Sequence, residues 1–255
     1  MIPKIIHYCW LSGDPFPPHI QHCIDTWKRL LPDYEFILWD RKRFPKRKSI
    51  WVDQAFEFRK YAFAADYIRL YALSHYGGIY LDCDVEVIRP FDDFLVLPTM
   101  ICWQRDVAGL EVAAFGVEPD SPWVQDCLAR YENRPFIGKK GFFDAVVLPE
   151  VVESILRDKN YPLIDVQNID EARQVSVTGG IPIFPSCYFS PKSYLTKEIE
   201  LTADSYCIHH FDGSWKTIPF YTKIDIRIGK LIHKRHFFFF TSCVRYLNYF
   251  IHQHQ

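Results

Sequence analysis

The sequence predicts an α/β fold with a central, mostly parallel sheet and a helical C-terminal appendage, on three observations. An apolar run, an amphipathic stripe and a second apolar run succeed one another within the first 39 residues, as in a strand–helix–strand unit whose parallel strands need a crossover helix. A long stretch without Pro or Gly then ends at Gly77-Gly78 and leads into Ile79-Tyr80-Leu81, the pattern of a glycine-stopped helix followed by a buried strand. With 49% hydrophobic and 24% charged residues over 255 positions, the chain has the composition of one globular domain with at most an appendage.

The elements follow in order. Residues 4–10 form a buried first strand, ended by the turn residues Ser12-Gly13-Asp14-Pro15. After the prolines at 17 and 18, Ile20, Cys23, Ile24, Trp27, Leu30 and Leu31 recur at helical spacing. Tyr34 to Trp39 is the second strand, and a basic loop, Arg41 to Lys48, follows it. A long helix is expected from about Phe56 to Tyr76, then the strand 79–81 running into Asp82-Cys83-Asp84. Beyond it come Val85 and Val87, apolar segments at 100–104 and 111–117, helices near 121–132 and 141–158, and a β-rich portion over 173–211. The domain is read as residues 1–222, with 1–98 binding the nucleotide part of a ligand and 99–222 forming the other side. Residues 223–255 are a basic, aromatic helical tail.

Charge supports that division. The formal charge of −1 hides a tail with six basic residues against Asp225, a net +5, and a body of −6. A nearly neutral whole is not the body of a nucleic-acid binder. The tail, with Phe237 to Phe240 among its cations, is expected to lie at an anionic membrane surface, the alternative being packing on the domain or on a second copy. Its apolar run, Phe237 to Val244, is far short of the roughly 20 residues that span a bilayer. Eight scattered cysteines lack zinc-knuckle spacing and read as free thiols of a reducing compartment. The N-terminus shows no signal-peptide pattern, so a cytoplasmic location is expected, peripheral at the inner face of the membrane if the tail binds there.

Asp82 and Asp84 flank Cys83 at the end of an apolar strand, where alternation allows both carboxylates to face one side. Two hard oxygen ligands at the C-terminal edge of a parallel sheet suit Mn²⁺ or Mg²⁺, while a solvated turn is the plain alternative. Asp66 and Arg69 share a helix face at i, i+3, either as an ion pair or as an acceptor and donor for sugar hydroxyls.

Phe63-Ala64-Ala65-Asp66-Tyr67-Ile68-Arg69-Leu70-Tyr71, then Tyr76-Gly77-Gly78-Ile79-Tyr80-Leu81-Asp82-Cys83-Asp84, resembles the DXD-containing sugar-binding region of glycosyltransferase family 32. The opening Ile2-Pro3-Lys4-Ile5-Ile6-His7-Tyr8-Cys9-Trp10 and the later His209-His210-Phe211-Asp212-Gly213-Ser214-Trp215-Lys216 also fit. Ala65 departs from the pattern, which often has serine there. The resemblance implies a GT-A-type nucleotide-sugar transferase fold and retaining transfer of a hexose or N-acetylhexosamine from a nucleotide sugar, a UDP-sugar being favoured over a GDP-sugar, to a glycan or lipid-linked acceptor in bacterial surface polysaccharide synthesis. It also implies roles. Trp10 stacks on the base, Asp66 and Arg69 grip the donor sugar, and Tyr80 lines that pocket. Asp84 binds Mn²⁺ or Mg²⁺ and Asp82 contacts ribose or metal. Ser214, Trp215 and Lys216 close over the diphosphate. On a strand only one of His209 and His210 can reach the metal, and His210 is the expected ligand. No catalytic base is assigned, since the departing phosphate can take the acceptor's proton.

Three other readings remain: a toxin-like protein glycosyltransferase, a nucleotide-sugar-binding module without turnover, and a phosphatase with an aspartyl nucleophile. The last lacks a downstream Gly-Asp-x-x-x-Asp.

Overall fold

The computed structural model describes residues 1–138 and 141–212. The expected tail at 223–255, and Ser214, Trp215 and Lys216, lie outside the described residues. The chain opens with β1 (Ile5–Cys9), α1 (Pro18–Leu30) and β2 (Glu35–Trp39). Pro18 starts α1 at a position whose missing N–H is no loss. The expected stripe Ile20, Cys23, Ile24 and Trp27 is its buried face.

The long helix expected from Phe56 arrives as two, α2 (Ile50–Glu57) and α3 (Tyr61–Tyr76). Ser49 caps α2 by accepting from the Val52 N–H, and a left-handed Arg59 (φ 54°) turns the chain between the helices. Hydrophobic periodicity runs through the break, which is why the sequence does not reveal it. Gly77 ends α3, and β3 (Gly78–Leu81) follows at once. Gly78 has φ +96°, and a Cβ there would lie 2.7 Å from the Ile5 carbonyl oxygen, so only glycine lets β3 approach β1 this closely.

Next come β4 (Val85–Val87), β5 (Thr99–Met100), β6 (Ala114–Val117), α4 (Pro122–Ala129), α5 (Leu148–Asp158), β7 (Leu163–Asp165), α6 (Ile169–Val177), β8 (Ile181–Ile183) and β9 (Cys207–His209). The helix expected over 141–158 is helical only from Leu148. The portion expected to be β-rich, 173–211, begins inside α6 and holds only β8 and β9, because the turns between them are pinned by serine side chains such as Ser193 and Ser205 rather than by strand ladders.

The central sheet runs β2-β1-β3-β6-β5. Its β1–β2 and β1–β3 pairs are parallel, whereas β3–β6 and β5–β6 are antiparallel. It is therefore a mixed sheet rather than a mostly parallel one. No crossover helix separates β3 from β6, so β6 returns against its neighbour. The α/β class is otherwise as predicted. Ile79 and Leu81 point into one apolar cluster, with α1 and the 184–207 region, while Tyr80 points into the other, with α2 to α5.

His7 fixes the two parallel pairs from inside. It is fully buried; the Trp39 indole N–H donates to its Nδ1 (3.1 Å), so its Nε2–H donates to the Gly77 carbonyl (2.9 Å). Burial pulls its pKa down to about 4, so it stays neutral and structural. Two bonds from α1 hold β4 in place: the Trp27 indole donates to the Val85 carbonyl (2.7 Å), and Thr26 Oγ1 accepts from the Val87 N–H (3.0 Å).

Candidate active site

β3 ends at Leu81, and Asp82 to Val85 form a tight turn closed by the Val85 N–H on the Asp82 carbonyl (2.9 Å). The two aspartates thus converge through a turn, not through strand alternation. Cys83 is turned inward, its thiol donating to the Cys9 carbonyl (3.2 Å), and this anchors the turn to the end of β1.

Arg69 is the centre of a buried charge cluster. It is 5% exposed; Nη2 lies 3.1 Å from Asp82 Oδ1 and 3.3 Å from Asp66 Oδ1, and Nη1 donates to the Val112 carbonyl (2.7 Å). Its guanidinium lies over the Tyr80 ring, 4.4 Å from the centroid, and the Tyr80 hydroxyl donates to Asp82 Oδ1 (3.0 Å). Tyr80 is 1% exposed, so it supports Arg69 and Asp82 from below instead of lining an open pocket as the resemblance implied. Alternation on β3 sends its ring into the core. Burial lifts the Asp66 carboxyl to about 7, with Arg69 opposing and Asp82 adding to the rise. Burial pulls the Arg69 pKa down, but Asp82, Tyr80 and Asp66 outweigh it and raise it.

The partner of Asp84 is His209, not the expected His210. β9 runs antiparallel to β4 with His209 opposite Val85. His209 Nε2 lies 3.6 Å from Asp84 Oδ1, and Asp82, Asp84 and His209 each bring a ligand atom within 4.8 Å of the others. His210 points the other way, as alternation requires, with Nε2 2.9 Å from Glu86 and Nδ1 3.4 Å from Lys192 Nζ. The strand end is sewn to the turn by backbone: the His210 N–H donates to the Asp84 carbonyl (3.0 Å) and the Asp212 N–H to Asp84 Oδ2 (2.9 Å).

One residue at this site escaped sequence reasoning. Glu111, 2% exposed, receives the Ala113 N–H (2.9 Å), the Ser190 hydroxyl (2.8 Å) and His209 Nδ1 (3.2 Å). Its signal was a lone carboxylate inside the apolar run Leu110 to Phe115, a position that burial permits only to a paired charge. Burial pulls the His209 pKa down, but Glu111 and Asp84 outweigh it and raise it to about 9. Glu111 is itself lowered: burial lifts it, and His209 overcomes that.

Trp10 directly follows β1 at the same sheet edge, half-buried, its indole N–H donating to the Asp14 carbonyl (2.6 Å) and its ring 4.9 Å from that of Phe16. The structure therefore brings together Asp66, Arg69, Tyr80, Asp82, Asp84, His209 and Glu111, and leaves Trp10 as a tethered aromatic at the edge. The seven described cysteines are free thiols.

The family model described as "Glycosyltransferase sugar-binding region containing DXD motif" matches residues 17–105. Mannosyl phosphorylinositol ceramide synthase SUR1 of Saccharomyces cerevisiae is 39% identical over 109 residues, 40% of this chain and 27% of that one. Inositol phosphoceramide mannosyltransferase 1 of Schizosaccharomyces pombe is 27% identical over 145 residues, 53% of this chain and 45% of that one. The chain spans less than half the length of either relative. Among solved structures, PaToxG glycosyltransferase aligns over 62% of this chain and 69% of its own, at 22% identity and a TM-score of 0.48. The stretch that matches the glycosyltransferase sugar-binding region, residues 17–105, is thus the one that holds Asp66, Arg69 and the Asp82–Asp84 turn.

Proposed function

We propose that the protein is a metal-dependent, retaining glycosyltransferase that moves a hexose from a nucleotide sugar to a glycan or lipid-linked acceptor. The observation that carries this is the convergence of Asp82, Asp84 and His209 beside the buried Asp66–Arg69 pair. Two carboxylates and an imidazole are donors that Mn²⁺ or Mg²⁺ accepts, and the imidazole tilts the set toward Mn²⁺. Such an ion supplies positive charge where the diphosphate leaving group gathers negative charge.

The chain's own residues do the rest. Asp84 and His209 hold the ion. Asp82 commits Oδ1 to Arg69 and Tyr80, which leaves Oδ2 for metal or ribose. Glu111 holds the His209 imidazole by Nδ1 and leaves Nε2, 3.6 Å from Asp84 Oδ1, as the atom that would ligate the ion. Asp66 accepts from the donor sugar, and Arg69, whose Nε is buried without a partner among the described residues, supplies the fixed positive charge behind it. Trp10 stacks on the base. Ser214, Trp215 and Lys216, which the resemblance assigns to the diphosphate, lie outside the described residues. The leaving phosphate takes the acceptor's proton, so no dedicated base is required.

The names of the relatives favour mannose as the sugar and a phosphoinositol-bearing lipid as the acceptor. A UDP donor and bacterial surface polysaccharide as the product rest on the family resemblance alone, and a cytoplasmic, membrane-peripheral location on the sequence of the basic, aromatic tail. A donor-hydrolysis screen over uridine and guanosine nucleotide sugars, with Mn²⁺, Mg²⁺ or chelator, tests the reading. It should show metal-stimulated release of one nucleotide. Hydrolysis indifferent to chelation would remove the metal from the mechanism.

A further inference from the structure

The basic loop Arg41 to Lys48 plays no part in sugar transfer as derived above, and it belongs to a larger feature. Residues 41–60 carry eight basic side chains and two acidic ones in a protein of net charge −1. Of the two acids, Asp53 is taken by the Arg41 guanidinium and the Arg47 N–H. At the far end of α2 the left-handed Arg59 turns Phe58, Arg59 and Lys60 outward together, all exposed.

A hairpin from the next region packs against this end. The Gly138 N–H donates to the Phe142 carbonyl and the Asp144 N–H to the Phe136 carbonyl, both at 2.8 Å. Phe143 stacks on Phe136 (5.2 Å) and meets Phe58 (5.3 Å), with Lys60 Nζ over its ring at 5.5 Å. Phe142, 72% exposed, protrudes beyond them, and Phe58 is 48% exposed. The one carboxylate of the hairpin, Asp144, is neutralised by Arg134.

Bare phenylalanines are costly in water, and an anionic bilayer surface takes them up while attracting the cations beside them: rings enter the acyl boundary and cations meet lipid phosphates. We propose that the face formed by Phe58, Arg59 and Lys60 with residues 136–138 and 141–144 of the hairpin docks on an anionic lipid membrane. An acidic polymer would satisfy the cations alone, and Phe142 offers a protruding ring where a protein partner's knob would need a groove. The hairpin also leads into α5, whose Leu148 N–H faces the Asp66 carboxylate, so docking there brings the sugar site to the lipid surface.

The test is co-sedimentation of the full chain with phosphatidylcholine vesicles, with and without phosphatidylserine. Residues 223–255 are themselves basic and aromatic, so the readout is the difference between parent and variant. Phe142→Ser, at a position 72% exposed, should weaken binding to the anionic vesicles about tenfold. Arg59→Gln/Lys60→Gln should weaken it about fivefold for each charge removed. Circular dichroism confirms the fold of each variant. Failure of the parent to bind anionic vesicles overturns the proposal, as does full binding by folded Phe142→Ser. Loss in the charge variant alone assigns the face to an acidic macromolecule and overturns the lipid assignment. No sugar donor is present, so any of these outcomes leaves the transferase reading where it stands.

Discussion

Replacing Glu111 by glutamine keeps the side chain's size while changing what it offers. The carboxylate accepts three hydrogen bonds, from Ala113, Ser190 and His209. A glutamine amide accepts at one oxygen only, and its NH₂ then faces either the Ala113 N–H or the His209 Nδ1–H, donor against donor. The bond to His209 is charge-assisted, worth about 1.5–3 kcal/mol. If metal binding requires the imidazole held in place, that energy is lost from binding, which predicts a fall in Mn²⁺ affinity of about 10- to 100-fold. Calorimetric titration of Mn²⁺ into the metal-free protein measures it directly. Ser190→Ala, which keeps the Glu111 charge and its bond to the imidazole and removes one hydroxyl donor, should cost less Mn²⁺ affinity than Glu111→Gln does. The dependence on pH has a definite sign. His209 is raised from 6.5 to about 9, so its stabilising charge is complete below the unfolded value and disappears as pH rises through about 9. Metal must displace its Nε2 proton, and Mn²⁺ affinity in the parent should therefore climb up to about pH 9 and level off earlier in the glutamine variant. A folded Glu111→Gln protein that binds Mn²⁺ like the parent refutes the positioning role.

Three other outcomes follow from the same geometry. Asp84→Ala should abolish metal-stimulated donor hydrolysis with native circular dichroism; full activity would place the ion elsewhere. Arg69→Met leaves Asp66 and Asp82 buried without their cation and should destabilise the protein by about 3–5 kcal/mol in urea titration, a change under about 1 kcal/mol showing that the cluster is solvated. Asp66 is raised from 3.8 to about 7, so the native state loses stability as pH climbs through about 7, and Asp66→Asn should gain on the parent at alkaline pH but not at acid pH. Equal differences at both pH values, read by thermal unfolding, would refute the perturbed carboxyl.

The strand–helix–strand start was legible because β1, α1 and β2 each show one clean period, and Gly77-Gly78 marked the entry to β3 by conformational need. Asp66 with Arg69, and Asp82 with Asp84, stand close in sequence, so each pair was legible as a candidate, while the family resemblance supplied their roles. The rest depends on distant pairing. The choice between His209 and His210 turns on the β4–β9 register, which places His209 opposite Val85. Glu111 joins the site across 98 positions. The antiparallel return of β6 and the break at Arg59 leave no local trace: no proline or glycine marks residues 57–60, and side-chain alternation does not state a strand's direction.

The bonds from His210 and Asp212 to Asp84 have a consequence for how the molecule can be divided. They span 128 residues in the case of Asp212, and among the described residues β4 pairs with no strand but β9. A fragment cut to residues 17–105 would keep both aspartates of the turn yet lose β1, β6, the imidazole and the carboxylate behind it. The region recognisable by homology is thus not an autonomous ligand-binding unit. A cation held by Asp82, Asp84 and His209 would draw on β3, the turn and β9 together, and a ligand that closes this site would tie residues 5–9, 78–87 and 207–212 into one cooperative unit.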